Sequence, residues 1–353
     1  MSPDRHRSPT IKDVARVAQV SMTTVSHALS AKRPVNAETA ERIQAAIDSL
    51  GYVPHSAART LQAGKTFMLG LVVPDVSDPF FGRLAVAVER AADENDYGVV
   101  LSSSNGAPER DARYFNLLRS RSIDGMIYVA GAVRRDNQLA ELASAFPIVL
   151  ADEWVEGLDG IPLVASDNHA GGRLAARHLL ELGHSEVAVL AGPRGLRSAE
   201  ERVAGFREVF PQAEVIAGDF SEAMALERTT ELLAERRATG RPLPSAVFAS
   251  NDLAAFGVID ALAAAGLSVP GDVSVVGFDD VALARRFSPA LTTVRQAIDV
   301  IGRQATLTLL ELVAGDPPSP VPLCPVELVV RASTAPPAGI PSAPSIPSRK
   351  EQL

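Results

Sequence analysis

The stretch TIKDVARVAQVSMTTVSHAL, residues 10–29, contains two short segments whose apolar residues recur at helical spacing. The residues expected to share one small core are Ile11, Val14, Ala15, Ala18, Val25 and Leu29. Because a short turn separates the two segments, the pattern predicts a helix-turn-helix. An ordinary helical hairpin has the same periodicity, so this spacing alone does not decide between the two.

The second helix of this pair has features that suit DNA recognition. Ser21 is a good N-cap, since its hydroxyl can accept a backbone N–H that the first helical turn leaves unpaired. In a recognition helix the N-terminal side chains contact base edges in the major groove, while the cap and backbone N–H groups meet phosphate. We expect Met22, Thr23 and His27 to face bases, with Ser21 and Thr24 beside them at the start of the helix.

A third helix and a linker follow the pair. Asn36 is suited to cap the segment AETAERIQAAIDSL, and Gly51 is suited to end it. The next segment, HSAARTLQAG at residues 55–64, is rich in helix-forming residues but too short to be a stable helix in water. Composition alone favours a flexible linker that exposes Leu61.

Composition and charge narrow the class of protein. A chain of 353 residues that is 46% hydrophobic exceeds one ordinary domain. Residues 1–65 hold nine Lys/Arg and five Asp/Glu, a net charge of +4, so the total of −8 leaves −12 on the remainder. This asymmetry suits phosphate contact by the N-terminal unit alone. No long apolar run or signal segment is evident, so we expect a cytoplasmic chain without membrane contact, and we expect its single cysteine, Cys324, in a buried strand.

From residue 67 onward, apolar runs alternate with helical patterns. This alternation predicts βαβ units with parallel sheets, arranged as two similar lobes with a boundary near residues 163–168. The late segments LTTVRQ and PVELVVR can cross back between the lobes. The predicted strands are FMLGLVVP, GVVLSSS, GMIYVAG and IVLAD in the first series, and VAVLAG, EVIAG, AVFAS and VSVVGF in the second. Ligands bind between such lobes, outside the carboxyl ends of the strands.

The sequence contains no clear motif of an enzyme active site. The first strand runs into Pro74 and Asp75 without the G-x-G-x-x-G turn of a dinucleotide-binding enzyme, and the Gly192–Gly195 turn has neither Rossmann nor Walker spacing. The histidines form no metal-binding pattern, and no nucleophile and base occur at catalytic spacing. We therefore expect no cofactor, no metal and no catalytic residue.

Several motifs in order resemble the lactose-repressor and galactose-repressor family of bacterial transcription regulators. These are TIKDVARVAQVSMTTVSHAL, VNAETAERI, GYVPHSAARTL, GFDD and SPALTTVRQ, and the resemblance spans about residues 10–331. It implies a helix-turn-helix headpiece at 1–53, a hinge at 54–66, a two-lobed periplasmic-binding-protein-like domain for effector binding and dimerisation at 67–333, and a Pro-rich tail at 334–353 that we expect to be disordered. In the family the hinge becomes helical on operator DNA and inserts a leucine into the minor groove, a position that Leu61 occupies here. We include Asn36 and Leu61 among the expected DNA-binding residues.

Effector residues are expected where strands end. Phe80, Phe81 and Trp154 follow strands and could offer flat apolar faces to a ring. The resemblance adds polar positions through VASDN, GPRGLRSAEERVAGF, ASND and GFDD, namely Asp167, Ser198, Arg202, Asn251 and Asp279. Phe220 matches an aromatic of the purine-responsive branch, although its GDF segment could equally be a structural turn. That branch has an arginine where this chain has Leu196, so a sugar or polyol is the expected effector.

These features predict a sequence-specific DNA-binding regulator, a repressor whose operator affinity is controlled by a small ligand. A sugar-binding protein without a transcriptional role is the alternative, which the added headpiece disfavours. A tetramer-forming leucine-heptad helix is missing after Arg331, so we expect a homodimer.

Overall fold

The computed structural model describes residues 9–30, 33, 35–52, 64–105, 108–131, 137–158 and 160–337. They form two compact units that meet in sequence between Phe67 and Met68. We treat the first as the headpiece and the second as the body. Leu61 and most of the predicted hinge lie outside the described residues.

The headpiece contains three helices, α1 (Ile11–Val17), α2 (Met22–Ser30) and α3 (Ala37–Leu50). Its buried core consists of Val14, Ala15, Ala18, Val25, Ile43, Ala46 and Tyr52. The predicted core position of Leu29 is wrong, because 40% of this residue is exposed. Ile43 and Ala46 of α3, together with Tyr52, complete the core instead. The apolar spacing of the first two helices does not indicate these residues.

Hydrogen bonds at helix ends fix the headpiece locally. The Ser21 hydroxyl accepts the Thr24 backbone N–H at 3.0 Å, and the Asn36 side chain accepts the Thr39 N–H at 2.8 Å, so both predicted caps are present. Gly51 ends α3 with a φ of 58°. The turn between α1 and α2 is held by Arg42, whose guanidinium donates to the Ala18 carbonyl.

The body begins with a lobe built on a parallel sheet. Its strands are β1 (Met68–Val73), β2 (Gly98–Ser103), β3 (Gly125–Tyr128), β4 (Ile148–Ala151) and β5 (Leu163–Val164), in the order β2-β1-β3-β4-β5. Its helices are α4 (Pro79–Asp93), α5 (Pro108–Arg119) and α6 (Asn137–Ala145). Strands β1, β3 and β4 are almost fully buried, as expected for a parallel sheet covered on both faces.

The second lobe repeats this architecture. Its strands are β6 (Val187–Leu190), β7 (Glu214–Ile216), β8 (Ala246–Ala249), β9 (Ser274–Asp279), β10 (Thr292–Arg295) and β11 (Glu327–Val329), in the order β11-β10-β9-β8-β6-β7, with β11 antiparallel. Its helices are α7 (Asn168–Glu181), α8 (Arg197–Val209), α9 (Glu222–Thr239) and α10 (Asp252–Ala264). The doubly wound α/β fold class and the helical headpiece therefore agree with the sequence prediction.

The chain passes between the lobes at places that the sequence indicated. The first passage lies between β5 and α7, within residues 163–168. After β10 the chain returns as α11 (Ile298–Ala314), whose Ile298, Ile301 and Leu309 pack in the core of the first lobe. Cys324 is buried there as expected, but it forms an isolated bridge with Ser166 and is not part of a longer strand.

Helices α7 and α8 approach each other closely through two glycines. A Cβ at Gly172 would lie 2.0 Å from the Arg202 carbonyl oxygen, and a Cβ at Gly205 would lie 1.9 Å from that of His169. Larger residues would push the helices apart. The pair therefore fixes the position of α8, which carries Arg202.

The start of the predicted disordered tail is ordered. The Thr334 hydroxyl is hydrogen-bonded to His178 Nε2 at 2.9 Å, and the Ala335 carbonyl accepts from His184 Nε2 at 3.0 Å and from the Ser274 hydroxyl at 3.0 Å. These two residues belong to the second lobe, so the predicted boundary before Thr334 is too early. The amino-acid composition of the tail could not predict its hydrogen bonds with His178, His184 and Ser274 of the second lobe.

Candidate effector and DNA-binding sites

A cavity of about 440 Å³ lies between the two lobes of the body. Its walls come from loops that follow the carboxyl ends of strands in both sheets, as expected for an α/β ligand site. The first-lobe residues include Pro74, Asp75, Asp78, Phe80, Phe81, Gly131, Asp152 and Glu153. The second-lobe residues include Leu196, Ser198, Arg202, Asp219, Phe220, Asn251, Asp279 and Gln296.

Among the described residues that line the cavity, Arg202 is the one with a positively charged side chain. It is only 3% exposed, and its Nε donates to the Asn168 amide oxygen at 2.8 Å while its Nη1 donates to the Ser250 carbonyl at 2.6 Å. The guanidinium carbon lies 3.9 Å from the centre of the Phe278 ring. These contacts hold the planar group in one orientation at the wall of the cavity.

Asp279 and Gln296 form the polar floor beside this arginine. The Asp279 carboxyl accepts the Gln296 amide N–H at 2.7 Å and lies 3.9 Å from Arg202 Nη1. Asp279 has a φ of 115°, a left-handed backbone conformation that is uncommon for aspartate. Asp280, the next residue, accepts from Arg295 and Arg331 at 2.6 and 2.5 Å. These two arginines stabilise the turn that presents Asp279.

Phe220 provides an aromatic wall. Its backbone carbonyl accepts the Asn251 amide N–H at 2.9 Å, and its ring packs on Gly192, where a Cβ would lie 2.3 Å from the ring. Arg202 lies 5.6 Å from the centre of the same ring. Asn251 also accepts the Ala254 N–H at 2.9 Å and thereby caps α10. In this structure Asn251 therefore positions the aromatic wall as well as lining the cavity.

Six carboxyl groups line the described cavity, against the single guanidinium of Arg202. They belong to Asp75, Asp78, Asp152, Glu153, Asp219 and Asp279. Burial raises the pKa of four of these groups, those of Asp78, Asp152, Glu153 and Asp279. The pKa of Asp152 rises to about 7, because burial outweighs the opposing effect of Arg202.

Two acceptor atoms in the cavity have no hydrogen-bond partner among the described residues. They are Asp152 Oδ1 and Gln296 Oε1, and each is buried. Buried polar atoms are normally paired, and both of these belong to residues that line the cavity.

The structure brings most of the expected effector residues together. Phe80, Phe81, Ser198, Arg202, Phe220, Asn251 and Asp279 all line the cavity. Asp167 is not among the lining residues, because its side chain caps α7 by accepting the Ala170 N–H at 2.8 Å. Trp154 also lies outside the lining, with Arg197 stacked 5.7 Å from its ring centre. The expected roles of Asp167 and Trp154 as cavity residues are therefore corrected.

Sequence reasoning missed Asp152, Glu153 and Gln296. A signal for two of them was available, since Asp152 ends the apolar run IVLAD and Gln296 ends LTTVRQ, where strand ends meet the cavity. Glu153 had no such signal. Its partners lie in the other lobe, more than 40 residues further along the chain.

On the headpiece, the start of α2 is available for contact. Ser21, Met22 and Thr23 are exposed, with Met22 at 52%, while Thr24 and His27 are half-buried. The exposed face is next to the capped helix end, where backbone N–H groups suit phosphate. Asn36 has its oxygen committed to its own cap, which leaves its amide N–H groups for other partners.

Within the described ranges, no cluster of three or more His, Cys, Asp or Glu side chains has metal-binding geometry. None of the helices described is long and apolar enough to cross a membrane.

Comparison with known proteins matches both units. The profile of bacterial regulatory proteins of the lacI family matches residues 10–55, and that of the periplasmic binding protein-like domain matches residues 176–334. The ribose operon repressor of Halalkalibacterium halodurans is 38% identical over 332 residues, covering 92% of this chain and 97% of that protein.

Solved structures give the same result. The Lac repressor dimer bound to operator and the anti-inducer ONPF superimposes with a TM-score of 0.83 at 30% identity, covering 93% of this chain and 100% of the other. A LacI family regulator from Enterococcus faecium with bound ribose gives a TM-score of 0.67 at 29% identity, covering 76% of this chain and 99% of the other. With its motifs, its fold and its full-length relatives in agreement, the chain belongs to the lacI family of bacterial regulatory proteins.

Proposed function

We propose that this protein is a transcriptional repressor whose affinity for operator DNA is controlled by a small ligand in the interlobe cavity. The observation that carries the proposal is that one chain combines a helix-turn-helix with an exposed recognition-helix start and a two-lobed body with a built cavity. The similar ribose operon repressor and the operator-bound Lac repressor support it. Since operator DNA is its target, the protein acts in the bacterial cytoplasm, and its ligand is an effector and not a substrate.

In the headpiece, Met22, Thr23 and His27 contact base edges, while Ser21, Thr24 and Asn36 lie at helix starts that face phosphate. Leu61 is the proposed minor-groove wedge of the hinge, as the family resemblance implies. Wedge insertion acts only on a deformable base step, so Leu61→Ala should weaken specific binding more than non-specific binding. Equal losses on both DNAs in a titration would remove this role.

For the effector we propose an uncharged sugar or polyol. The Asp279 carboxyl can accept hydroxyl donors, and Arg202 can donate to ring or hydroxyl oxygens. Phe220 offers a flat apolar face to the ligand. D-ribose is the first candidate, because it is bound in the Enterococcus relative and named in that of Halalkalibacterium. A purine is disfavoured, since the hydrocarbon side chain of Leu196 lines the cavity at the column where the purine branch has an arginine.

A thermal-shift screen tests the ligand class. A ligand that binds only the folded protein stabilises it by about 2.7 kcal/mol at one hundred times its dissociation constant. We expect D-ribose or another neutral sugar or polyol to raise the melting temperature, with purine bases and sugar phosphates as the comparison set. A rise with purines or phosphates alone would contradict the proposed effector class.

Selection of bound sequences from random DNA tests the repressor assignment. We expect a pseudo-palindromic site, because two headpieces bind half-sites related by the symmetry of a dimer. A protein that enriches no sequence would instead favour the sugar-binding alternative without a transcriptional role.

The assembly that we propose is a homodimer whose contacts lie within residues up to 337. Chain truncation after Pro337 keeps the hydrogen-bonded Thr334 and Ala335 and removes only the remaining tail. Light scattering should give a dimer for both the full and the shortened chain. A tetramer that becomes a dimer on truncation would contradict this.

A further inference from the structure

Helix α8 begins without a cap from its own lobe. Leu196 occupies the N-cap position, and its hydrocarbon side chain cannot accept a hydrogen bond. The first-turn N–H groups of Arg197 and Ser198 instead donate to the carboxyl group of Glu153, at 3.0 Å and at 3.3 to 3.4 Å. The Ser198 hydroxyl donates to the same carboxyl at 2.5 Å. Glu153 thus supplies the cap that the sequence of α8 lacks.

This cap crosses between the lobes. Glu153 follows β4 in the first lobe, whereas α8 belongs to the second. Glu153 is 2% exposed, so its hydrogen bonds are shielded from competing water. A second contact lies beside it, where the Arg197 guanidinium stacks over the ring of Trp154. The positive end of the helix dipole adds a favourable interaction with a carboxylate at this place.

Helix α8, whose first turn Glu153 caps, also carries Arg202, the guanidinium of the cavity lining. Arg202 follows Ser198 by four residues, about one helical turn, and therefore lies on the same face of α8. Any rotation of the first lobe that breaks the Glu153 contacts also changes how Arg202 faces Asp152 and Phe80 on the opposite wall. The orientation of the lobes and the geometry of the site are therefore linked through one carboxyl group.

We propose that Glu153 is an interlobe clasp, a positioning residue that fixes the relative orientation of the two lobes by capping α8 and thereby sets effector affinity. The link to effector affinity rests on the proposed function, whereas the clasp itself does not. Ser198, expected to bind effector directly, serves in this proposal as the second-lobe half of the clasp.

Tryptophan fluorescence can be used to monitor this contact without an added label. Trp154 is the single tryptophan of the sequence and is adjacent to Glu153. Access of acrylamide to this tryptophan, measured by fluorescence quenching of the full-length protein, reports the separation of the lobes at the clasp. The variants are Glu153→Ala, Glu153→Gln, Ser198→Ala and the double alanine variant. Glu200→Ala is the matched control, because Glu200 accepts the Gly195 N–H at 3.0 Å at the same helix end but from within the second lobe.

We expect Glu153→Ala to increase quenching of Trp154, and Ser198→Ala to increase it less, because the backbone N–H groups of Arg197 and Ser198 still donate to Glu153. The double variant should quench no more than Glu153→Ala, because the Ser198 hydroxyl bond is already lost with the carboxyl group. Glu153→Gln should give an intermediate value, since its amide oxygen still accepts the Arg197 N–H. Glu200→Ala should match the wild type. Unchanged quenching in both single variants, or strictly additive changes, would overturn the clasp, even if the melting temperature falls. If Glu153→Ala does not fold, Ser198→Ala decides alone.

Calorimetric titration with D-ribose measures the link to affinity. Loss of a hydrogen bond to a charged group corresponds to about a tenfold to hundredfold weaker equilibrium, and we expect D-ribose binding to weaken by this factor in Glu153→Ala. Ribose affinity equal to wild type in a variant with increased quenching would overturn the link between clasp and affinity. Failure of D-ribose to bind the wild type would count against the proposed effector, while the quenching result would still decide the clasp.

Discussion

Replacement of Arg202 by alanine tests the effector site most severely. The change removes the donors to Asn168 and to the Ser250 carbonyl, and it removes the cation 3.9 Å from Asp279. Each of these groups is buried, so water cannot fully replace the lost partner. The neighbouring Phe278 ring also loses the stacked guanidinium.

The expected cost can be estimated from these contacts. Breaking a buried ion pair costs about 3–5 kcal/mol of folding free energy. The lower end applies here, because burial raises the pKa of Asp279 and the carboxyl can take a proton when its cation is lost. For the ligand, loss of one charged hydrogen bond costs about 1.5–3 kcal/mol. With 1.4 kcal/mol for each factor of ten, sugar binding should weaken about tenfold to hundredfold.

The assay is calorimetric titration of the sugar found by thermal shift, together with operator binding measured by fluorescence anisotropy. Arg207→Ala is the control, since Arg207 lies on the same helix and its guanidinium donates to the Ala213 carbonyl at 3.0 Å, outside the cavity. We expect Arg202→Ala to lose the ligand response and to keep operator affinity in the absence of ligand, and Arg207→Ala to keep both. A full ligand response in Arg202→Ala would show that the cavity is not the effector site.

Three further predictions concern the headpiece, the aromatic wall and the buried acid. Thr23→Ala and His27→Ala should each change the preferred base at one position of the selected DNA by about 1–3 kcal/mol, and a uniform loss on all sequences would instead indicate phosphate contact or misfolding. Gly192→Ala places a methyl group against the Phe220 ring, so sugar affinity should fall by about tenfold, and an unchanged affinity would exclude the ring from the site. Asp152→Asn should stabilise the protein more at pH 8 than at pH 4, by up to about 4 kcal/mol in urea unfolding, because the folded wild-type carboxyl keeps its proton up to a pKa of about 7 while the unfolded one ionises near 3.8. Equal effects at both pH values would show that Asp152 is not perturbed.

The order of elements was predictable because each depends on local sequence. Strand ends, helix caps and the alternation of apolar runs are properties of neighbouring residues, and Ser21 and Asn36 cap their helices as their types indicate. The predicted burial of Leu29 was wrong because burial does not depend on neighbouring residues alone. Whether an amphipathic position is buried depends on a third helix that is distant in sequence.

The cavity residues likewise divide into those that sequence motifs indicate and those that only the folded chain brings together. Arg202 and Asp279 were predicted from the family resemblance of GPRGLRSAEERVAGF and GFDD, and both line the cavity. Asp167 has the same kind of position, but its carboxyl caps α7 instead. Glu153 could not be found, because its importance depends on contacts from the other lobe that only the folded chain creates.

Sugar binding in the body is proposed to control operator binding by the headpiece. The direct test measures operator affinity with and without the sugar, and sugar affinity with and without operator, on the same protein. Linkage requires the two ratios to be equal, and we expect a factor of about 5 to 150, the usual range for allosteric coupling. Operator affinity that stays unchanged at saturating sugar, while the sugar demonstrably binds, would contradict the claim.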